Sequence, residues 1–305
     1  MKILLLGKDG QVGWELQRAL APLGELVAWG RLGADFLDPA LLAARVRAAR
    51  PDLVVNAAAY TAVDRAESEE AAARLVNAVA PGALAQAARD CGAWLVHYST
   101  DYVFDGAKQG AWLETDAPHP LSAYGRTKLE GEERIRAVGA RHLILRTSWV
   151  FGTRGANFAK TMLLLARERE RLDVVADQHG APTGAALLAD ATALALYRIM
   201  HGGAQADAYA GTYHLAAGGS TTWYEYARHV LARARDQGAV LKAGPEQVRP
   251  IAAADFAAAA ARPANSRLDC SKFCSRFGLA LPDWRHHVDR MVAELVTYQQ
   301  EQGPT

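Results

Sequence analysis

A doubly wound α/β protein with a smaller C-terminal lobe is what this chain of 305 residues predicts, on three observations. Short apolar runs alternate with helical patterns through the first half, as a parallel sheet with crossover helices requires. A glycine turn, Gly7-Lys8-Asp9-Gly10-Gln11-Val12-Gly13, joins the first apolar run to the first helix. Past residue 150 the alternation gives way to helices separated by turn-rich segments. The expected division is a sheet core over 1–150 and, over 151–305, mainly a lobe on the C-terminal edge of the sheet, with some segments returning to the core.

The elements follow in order. Residues 3–6 are a strand, because an unbroken apolar run suits a strand buried on both faces. Residues 11–20 are a helix, stopped by Pro22 and Gly24. Residues 26–29 form the next strand, and Asp35-Phe36 ends a short third one. Pro39 opens a helix running to about Arg50, since proline suits a first helical turn. Residues 53–55 are a buried strand leading into Asn56-Ala57-Ala58-Ala59. Residues 69–90 are helical, in two pieces around Pro81. A strand over 94–98 ends at Ser99-Thr100, a helix covers 123–138, and a strand covers 143–145. Helices follow at 157–169, 185–200, 222–236 and 284–300. The alanine-rich stretch 252–261 fits either a helix or a loop.

The bulk numbers exclude several classes. The chain is 50% hydrophobic, enough for a large core. It carries 34 basic and 33 acidic residues, which gives no electrostatic case for nucleic acid or an anionic membrane. Cys91, Cys270 and Cys274 are too few and odd in number for a disulfide framework, and they fit a reducing compartment. No second Cys/His pair completes a zinc site with the last two. The opening apolar run is too short for a signal peptide, and no run approaches a membrane span. A cytoplasmic protein is expected.

The glycine spacing is G-x-x-G-x-x-G. Glycines let the backbone turn tightly and approach a dinucleotide pyrophosphate, which then meets the free amides and positive end of the following helix. Gly7, Gly10, Gln11, Val12 and Gly13 are therefore expected at a cofactor. A cofactor with a free ribose 2′-hydroxyl usually meets a carboxylate after the second strand. That place reads Trp29-Gly30-Arg31. Arg31 could pair with a 2′-phosphate, and a merely solvated arginine is the alternative. NADPH is favoured, with NADH as the second choice. Asp35-Phe36 is placed to touch the adenine.

Tyr124 and Lys128 lie four apart on one face of a helix, about 6 Å apart along its axis. A nearby ammonium favours phenolate and lowers the tyrosine pKa, so the phenol gives its proton more readily to a developing alkoxide. Lys128 can also hold a nicotinamide ribose. Ser99-Thr100-Asp101 ends the preceding strand, and strand C-termini face the ligand crevice in such sheets. Either Ser99 or Thr100 could meet a substrate carbonyl beside Tyr124, and the spacing does not choose between them.

These residues together resemble the extended short-chain dehydrogenase/reductases, with their Rossmann-type doubly wound parallel sheet. Longer strings are similar to the dTDP-4-dehydrorhamnose reductase family over nearly the whole chain. They are Asn56-Ala57-Ala58-Ala59-Tyr60-Thr61-Ala62-Val63-Asp64, His97-Tyr98-Ser99-Thr100-Asp101-Tyr102-Val103-Phe104, Arg146-Thr147-Ser148-Trp149-Val150, Gly180-Ala181-Pro182-Thr183-Gly184, Arg262-Pro263-Ala264-Asn265-Ser266-Arg267-Leu268 and Leu281-Pro282-Asp283-Trp284.

The resemblance implies hydride transfer from NAD(P)H to C4 of dTDP-4-dehydro-β-L-rhamnose, the last step of dTDP-L-rhamnose synthesis. It implies that Tyr124 is the proton donor, that Lys128 tunes it and holds the ribose, and that Thr100 polarises the ketone. It puts Asp101 on the sugar and Trp149 against the substrate. Gly10 to Val12, Asp35, Phe36, Ala59, Tyr60, Thr61 and Tyr98 would line the cofactor, and Asn265 and Arg267 would serve the nucleotide.

Two departures from the family pattern matter. Relatives often carry an acid where Gly30 stands, and its loss should cost NADH more than NADPH. Some relatives hold magnesium among glutamates at a homodimer interface. Glu15 and Glu294 match such positions, but Ala186 replaces the third carboxylate, which argues against Mg2+ and against a dimer that depends on it.

Two other functions compete. A sugar-nucleotide epimerase or dehydratase is one, but the dehydratases place Thr-Asp-Glu where this chain has Thr100-Asp101-Tyr102. A non-catalytic NADP-binding regulatory subunit is the other. The intact Thr100, Tyr124 and Lys128, together with Trp149, count against it.

Overall fold

Six parallel strands make the central sheet of the computed structural model, which describes residues 1–301. In chain order they are β1 (Lys2–Leu6), β2 (Glu25–Trp29), β3 (Leu53–Asn56), β4 (Trp94–Thr100), β5 (His142–Thr147) and the late strand Gly211–His214. Their spatial order is β2-β1-β3-β4-β5 and then Gly211–His214. The chain runs outward from β1 to β2 and then returns past β1 to β3. That reversal opens a crevice at the strand C-termini, where such sheets bind ligands.

The sequence pattern explains the layers. Every residue of β3 and β4 is buried, as a strand covered on both faces must be. One face packs under α1 (Gln11–Leu20), the helix Ala185–Met200 and the helix Ser271–Phe277, around Leu16, Leu188 and Phe273. The other packs under α2 (Pro39–Ala49), the helix Ala80–Asp90 and the helix Ala123–Val138, around Leu42, Leu84 and Ile135. A separate apolar cluster joins the helices Phe158–Glu168, Trp223–Asp236 and Trp284–Glu301. Among the described residues no helix is long and apolar enough to cross a membrane.

Local signals act as expected at several ends. Asp38 caps α2 by accepting from Leu41 N at 3.0 Å, with Pro39 in the first turn. Ser122 caps the Tyr124 helix by accepting from Gly125 N at 3.2 Å, and left-handed Gly139 ends it.

Two expectations are corrected and one open choice, over 252–261, is decided. No third strand forms at Asp35-Phe36. The chain turns there, Leu37 N donates to Asp35 Oδ1, and Phe36 drops into the core beneath α2. The irregularity in 69–90 falls at a π-helical turn, Leu75–Val79, because Pro81 then sits in the first turn of Ala80–Asp90, where it needs no N–H partner. Residues 252–261 hold only the short 3-10 turn Ala253–Asp255. Of the alanines there only Ala260 is buried, so the stretch packs no apolar face and propensity alone makes no helix.

Candidate active site

The glycine turn is closed by contacts that a side chain would break. Gly7 has φ +82°, and a Cβ there would lie 2.7 Å from Ala58 N. A Cβ at Gly13 would lie 2.0 Å from Gly7 O, so α1 starts flush against the turn. The first bond of α1 runs from Trp14 N to Gly10 O at 2.9 Å. The amides of Gln11, Val12 and Gly13 precede it and stand at the positive end of the helix. Such a cradle fits a dinucleotide pyrophosphate. Asn157 Nδ2 donates to Gln11 Oε1 at 3.1 Å, and Val12 packs against the core.

At the end of β2, Arg31 is exposed. The space beside Gly30 is filled by Asp9, since a Cβ at Gly30 would lie 2.2 Å from Asp9 Oδ2. A carboxylate therefore does stand at this strand end, contributed by the glycine turn.

The loop after β3 is held by the π-helical turn. Asn77 Oδ1 accepts from Tyr60 N at 2.8 Å, and Asn77 Nδ2 donates to Tyr60 O and to Thr127 Oγ1. Ala59, Tyr60 and Thr61 are thereby tied to the Tyr124 helix. That helix approaches so closely that a Cβ at Gly131 would lie 2.1 Å from Asn77 O.

The end of β4 resolves the choice between Ser99 and Thr100, because successive strand residues point to opposite faces. Ser99 Oγ donates to Glu132 Oε1 at 2.6 Å, inside a buried network. Arg146 grips Glu132 with Nε at 2.9 Å and Nη2 at 2.7 Å. Thr100 faces the other way and hydrogen-bonds the Tyr124 phenol. Its Oγ1 donates to Asp101 Oδ1 at 3.0 Å and accepts from Tyr102 N at 3.1 Å. Asp101 is 2% exposed, and its Oδ2 has no hydrogen-bond partner among the described residues. Burial raises its carboxyl to about 6, against the pull of hydrogen bonds from Ser266 and Thr100. A buried, unfilled acceptor beside Thr100 fits a ligand hydroxyl.

Tyr124 and Lys128 share one face of their helix, as the spacing predicts, and burial is the largest influence on both. Burial pushes Tyr124 up to about 12, while the Thr100 hydrogen bond pulls it down and Asp101 pushes it further up. Burial lowers Lys128 to about 8, opposed by Glu132. Lys128 Nζ donates to Tyr98 O at 2.6 Å and lies 3.2 Å from His97 Nε2, so its charge is not spent on the phenol. Tyr102 packs edge-on against Tyr124, with ring centroids 5.6 Å apart.

Trp149 adopts φ +48°, which is strained for a bulky residue. Trp223 stacks on it with ring centroids 3.6 Å apart, and a Cβ at Gly180 would strike its ring at 2.5 Å. The indole is held in place before any ligand arrives.

Other expected residues are engaged elsewhere. The Tyr98 hydroxyl bonds Thr192 Oγ1 at 2.7 Å, under the helix Ala185–Met200, so only its carbonyl reaches Lys128. Asn265 Nδ2 donates to Lys108 O and Gly110 O, its Oδ1 accepts from Arg267 N and Nε, and Arg267 Nη2 donates to Gln109 O. Both close the 108–112 loop. Glu15, Ala186 and Glu294 do line one cleft, but Arg18 pairs with Glu15 and Arg290 with Glu294. Among the described residues no three His, Cys, Asp or Glu side chains are grouped to hold a metal.

Sequence reasoning did not find the roles of His97, Asn56, Glu132, Arg146 and Trp223. It also missed the latch in which Asp64 accepts from Arg262 Nη2 at 2.7 Å and Ala260 N at 3.0 Å. Each partner lies far along the chain, so no local spacing signals the pair.

The glycine turn heading a doubly wound sheet, with a Tyr-x-x-x-Lys helix packed beside β4, defines the short-chain dehydrogenase/reductase class. A family profile described as RmlD substrate binding domain matches residues 1–297. The chain is 54% identical over 301 residues to dTDP-4-dehydrorhamnose reductase of Escherichia coli (strain K12), covering 97% of this chain and 99% of the relative. It is 51% identical over 301 residues to the Salmonella typhimurium reductase, with the same coverage. The solved Bacillus anthracis dTDP-4-dehydrorhamnose reductase, in complex with NADP, superposes with a TM-score of 0.85 at 33% identity, over 96% of this chain and 99% of that one. The chain belongs to the dTDP-4-dehydrorhamnose reductase family.

Proposed function

We propose that the chain reduces the C4 ketone of dTDP-4-dehydro-β-L-rhamnose to dTDP-L-rhamnose. The carrying observation is that Thr100, Asp101, Tyr124 and Lys128 meet at the end of β4, beside the glycine turn, in a chain that matches the E. coli reductase along its length. Residues 1–150 supply the dinucleotide-binding core. Residues 151–305 supply mainly the substrate lobe, with the Gly211–His214 strand returning to the sheet.

Bound NAD(P)H supplies the hydride. Thr100 donates a hydrogen bond to the C4 oxygen and polarises the ketone. Tyr124 gives its phenolic proton to that oxygen as negative charge develops there. Lys128 holds the nicotinamide ribose and stabilises the phenolate left on Tyr124. Asp101 Oδ2 accepts from a sugar hydroxyl, which fills the buried acceptor. Trp149 packs against the sugar. Gly7, Gly10, Gln11, Val12 and Gly13 receive the pyrophosphate, and Ala59, Tyr60 and Thr61 form the wall beside it. Asp35 approaches the adenine by way of its loop.

NADPH is the preferred cofactor, because exposed Arg31 is available to a 2′-phosphate and the B. anthracis relative carries NADP. Asp9, beside Gly30, offers a free ribose hydroxyl an acceptor, so NADH serves second. The dehydratase reading is disfavoured by Tyr102, which stands at the chain position where the dehydratases carry Glu and here packs edge-on against Tyr124.

The test is NADPH oxidation in the presence of dTDP-4-dehydro-L-rhamnose, repeated with NADH. Consumption that depends on the sugar nucleotide is expected. Folded protein that binds NADPH and consumes none with either cofactor would favour the regulatory-subunit reading.

A further inference from the structure

Behind Lys128 lies a polar chain that the proposed mechanism does not use. His97 is 1% exposed on β4. Its Nε2 lies 3.2 Å from Lys128 Nζ, and its Nδ1 lies 3.0 Å from Asn56 Nδ2. The direction of this chain is set at its far end. The Ala58 N–H is only a donor, and it gives its hydrogen to Asn56 Oδ1 at 3.0 Å. The amide oxygen of Asn56 is therefore turned to Ala58, and its NH2 is turned to His97. An amide NH2 only donates, so His97 Nδ1 accepts. Burial above all holds the imidazole well below its ordinary pKa, so the ring carries a single hydrogen. That hydrogen must sit on Nε2, aimed at Lys128. An ammonium has no lone pair to receive it, whereas an amine does.

We infer that the chain Ala58–Asn56–His97 favours the neutral amine of Lys128 in the cofactor-free protein and so weakens its hold on a proton, which makes His97 the positioning residue for the charge of that lysine. The inference rests on reading Lys128 as the residue that serves Tyr124. The surroundings pull both ways, with burial and His97 on the side of the amine. Lys128 faces the Tyr98 carbonyl and His97 from β4, and Tyr124 and Glu132 from its own helix. Two groups favour ammonium, the Tyr98 carbonyl at 2.6 Å and the Glu132 charge, and that charge is already shared by Arg146, Arg136 and Ser99.

Nitrogen-15 NMR of the imidazoles in cofactor-free protein near neutral pH tests the direction of the chain. His97 should show a protonated Nε2 and a bare Nδ1. The opposite tautomer, or an imidazolium, would overturn the inference. A carbon-13 titration of Lys128 separates positioning from mere packing. His97→Leu removes the hydrogen bond made only to the amine, so the Lys128 pKa should rise by about one unit, tenfold in proton affinity. If His97 only filled space, the apolar replacement would deepen desolvation and the pKa would fall. His97→Gln accepts from Asn56 and donates to Lys128, so it should return the wild-type value. The basic limb of the kcat/KM profile should move with the titration. Neither NMR experiment needs the substrate, so their failure leaves the reductase reading standing. Absence of sugar-dependent NADPH oxidation would leave the polar chain standing.

Discussion

Ser99 gives its hydroxyl to Glu132, whose two oxygens also take Arg146 and Arg136, whereas Thr100, one residue on, faces Tyr124 and an Asp101 oxygen with no partner. Both sides are buried and polar. One is nearly filled, with the remaining Arg146 Nη1 in a guanidinium that lies 5.1 Å over the Phe104 ring. It ties β4 and β5 to the Tyr124 helix. The other keeps spare bonding capacity at a stated atom. A buried polar group left unfilled costs stability, and a fold retains such a group where a ligand completes it. The pair separates two adjacent hydroxyls by their surroundings: Ser99 sits in the nearly filled network, and Thr100 sits beside the open acceptor that the proposed reduction uses.

Substitution on the open side should damage turnover and leave the fold intact. Tyr124→Phe should cut kcat by about 10²- to 10⁴-fold. Cofactor affinity, measured by fluorescence titration, should change little. Unchanged turnover would remove Tyr124 from the mechanism.

On the filled side the expectation reverses. Glu132→Gln leaves the Arg146 guanidinium buried without its counter-charge and should cost about 3–5 kcal/mol in urea unfolding. Ser99→Ala removes one bond to a charged acceptor and should cost about 1.5–3 kcal/mol, with turnover of the folded fraction nearly unchanged. A large loss of kcat in stable Ser99→Ala protein would erase the contrast between the two faces.

Asp101 sharpens the contrast through pH. Its folded pKa of about 6 lies above the ordinary carboxylate value. Between those two values the folded state binds more protons than the unfolded one, so this group makes stability fall as pH rises through the window from about 4 to 6. Asp101→Asn should remove that slope in melts recorded across the window, and it should also lower turnover. A slope that survives the substitution would place its source elsewhere.

The smallest effect belongs to cofactor choice. Gly30→Asp should move preference toward NADH by less than about tenfold. Asp9 already fills that space, and the new side chain must displace a like charge. No shift in the ratio of kcat/KM values would mean that neither Gly30 nor Arg31 sets the selectivity.

Much of this was legible in residue order. Unbroken apolar runs mark β1 and β3, Pro39 and Ser122 mark helix starts, and the spacing of Tyr124 and Lys128 places both on one helix face. These signals are local, because backbone dihedrals, capping and a 3.6-residue period act within a few residues. Phe36 escaped the same logic. Its apolar character was read as a strand end, but burial under α2 satisfies it from a loop.

The chain alone thus determined the sheet-and-helix alternation, the glycine turn and the Tyr-Lys pair, since each rests on neighbours in sequence. Tertiary structure decided that Thr100 and not Ser99 faces the phenol, that Tyr98 turns its hydroxyl away, that Asp9 stands beside Gly30, and that His97 reaches Lys128. Those outcomes depend on strand pleat and on contacts such as His97 with Lys128 across 31 residues and Asp64 with Arg262 across 198. Hydrogen-bond direction is settled only when donors and acceptors from separate segments meet in a space too small for water to substitute.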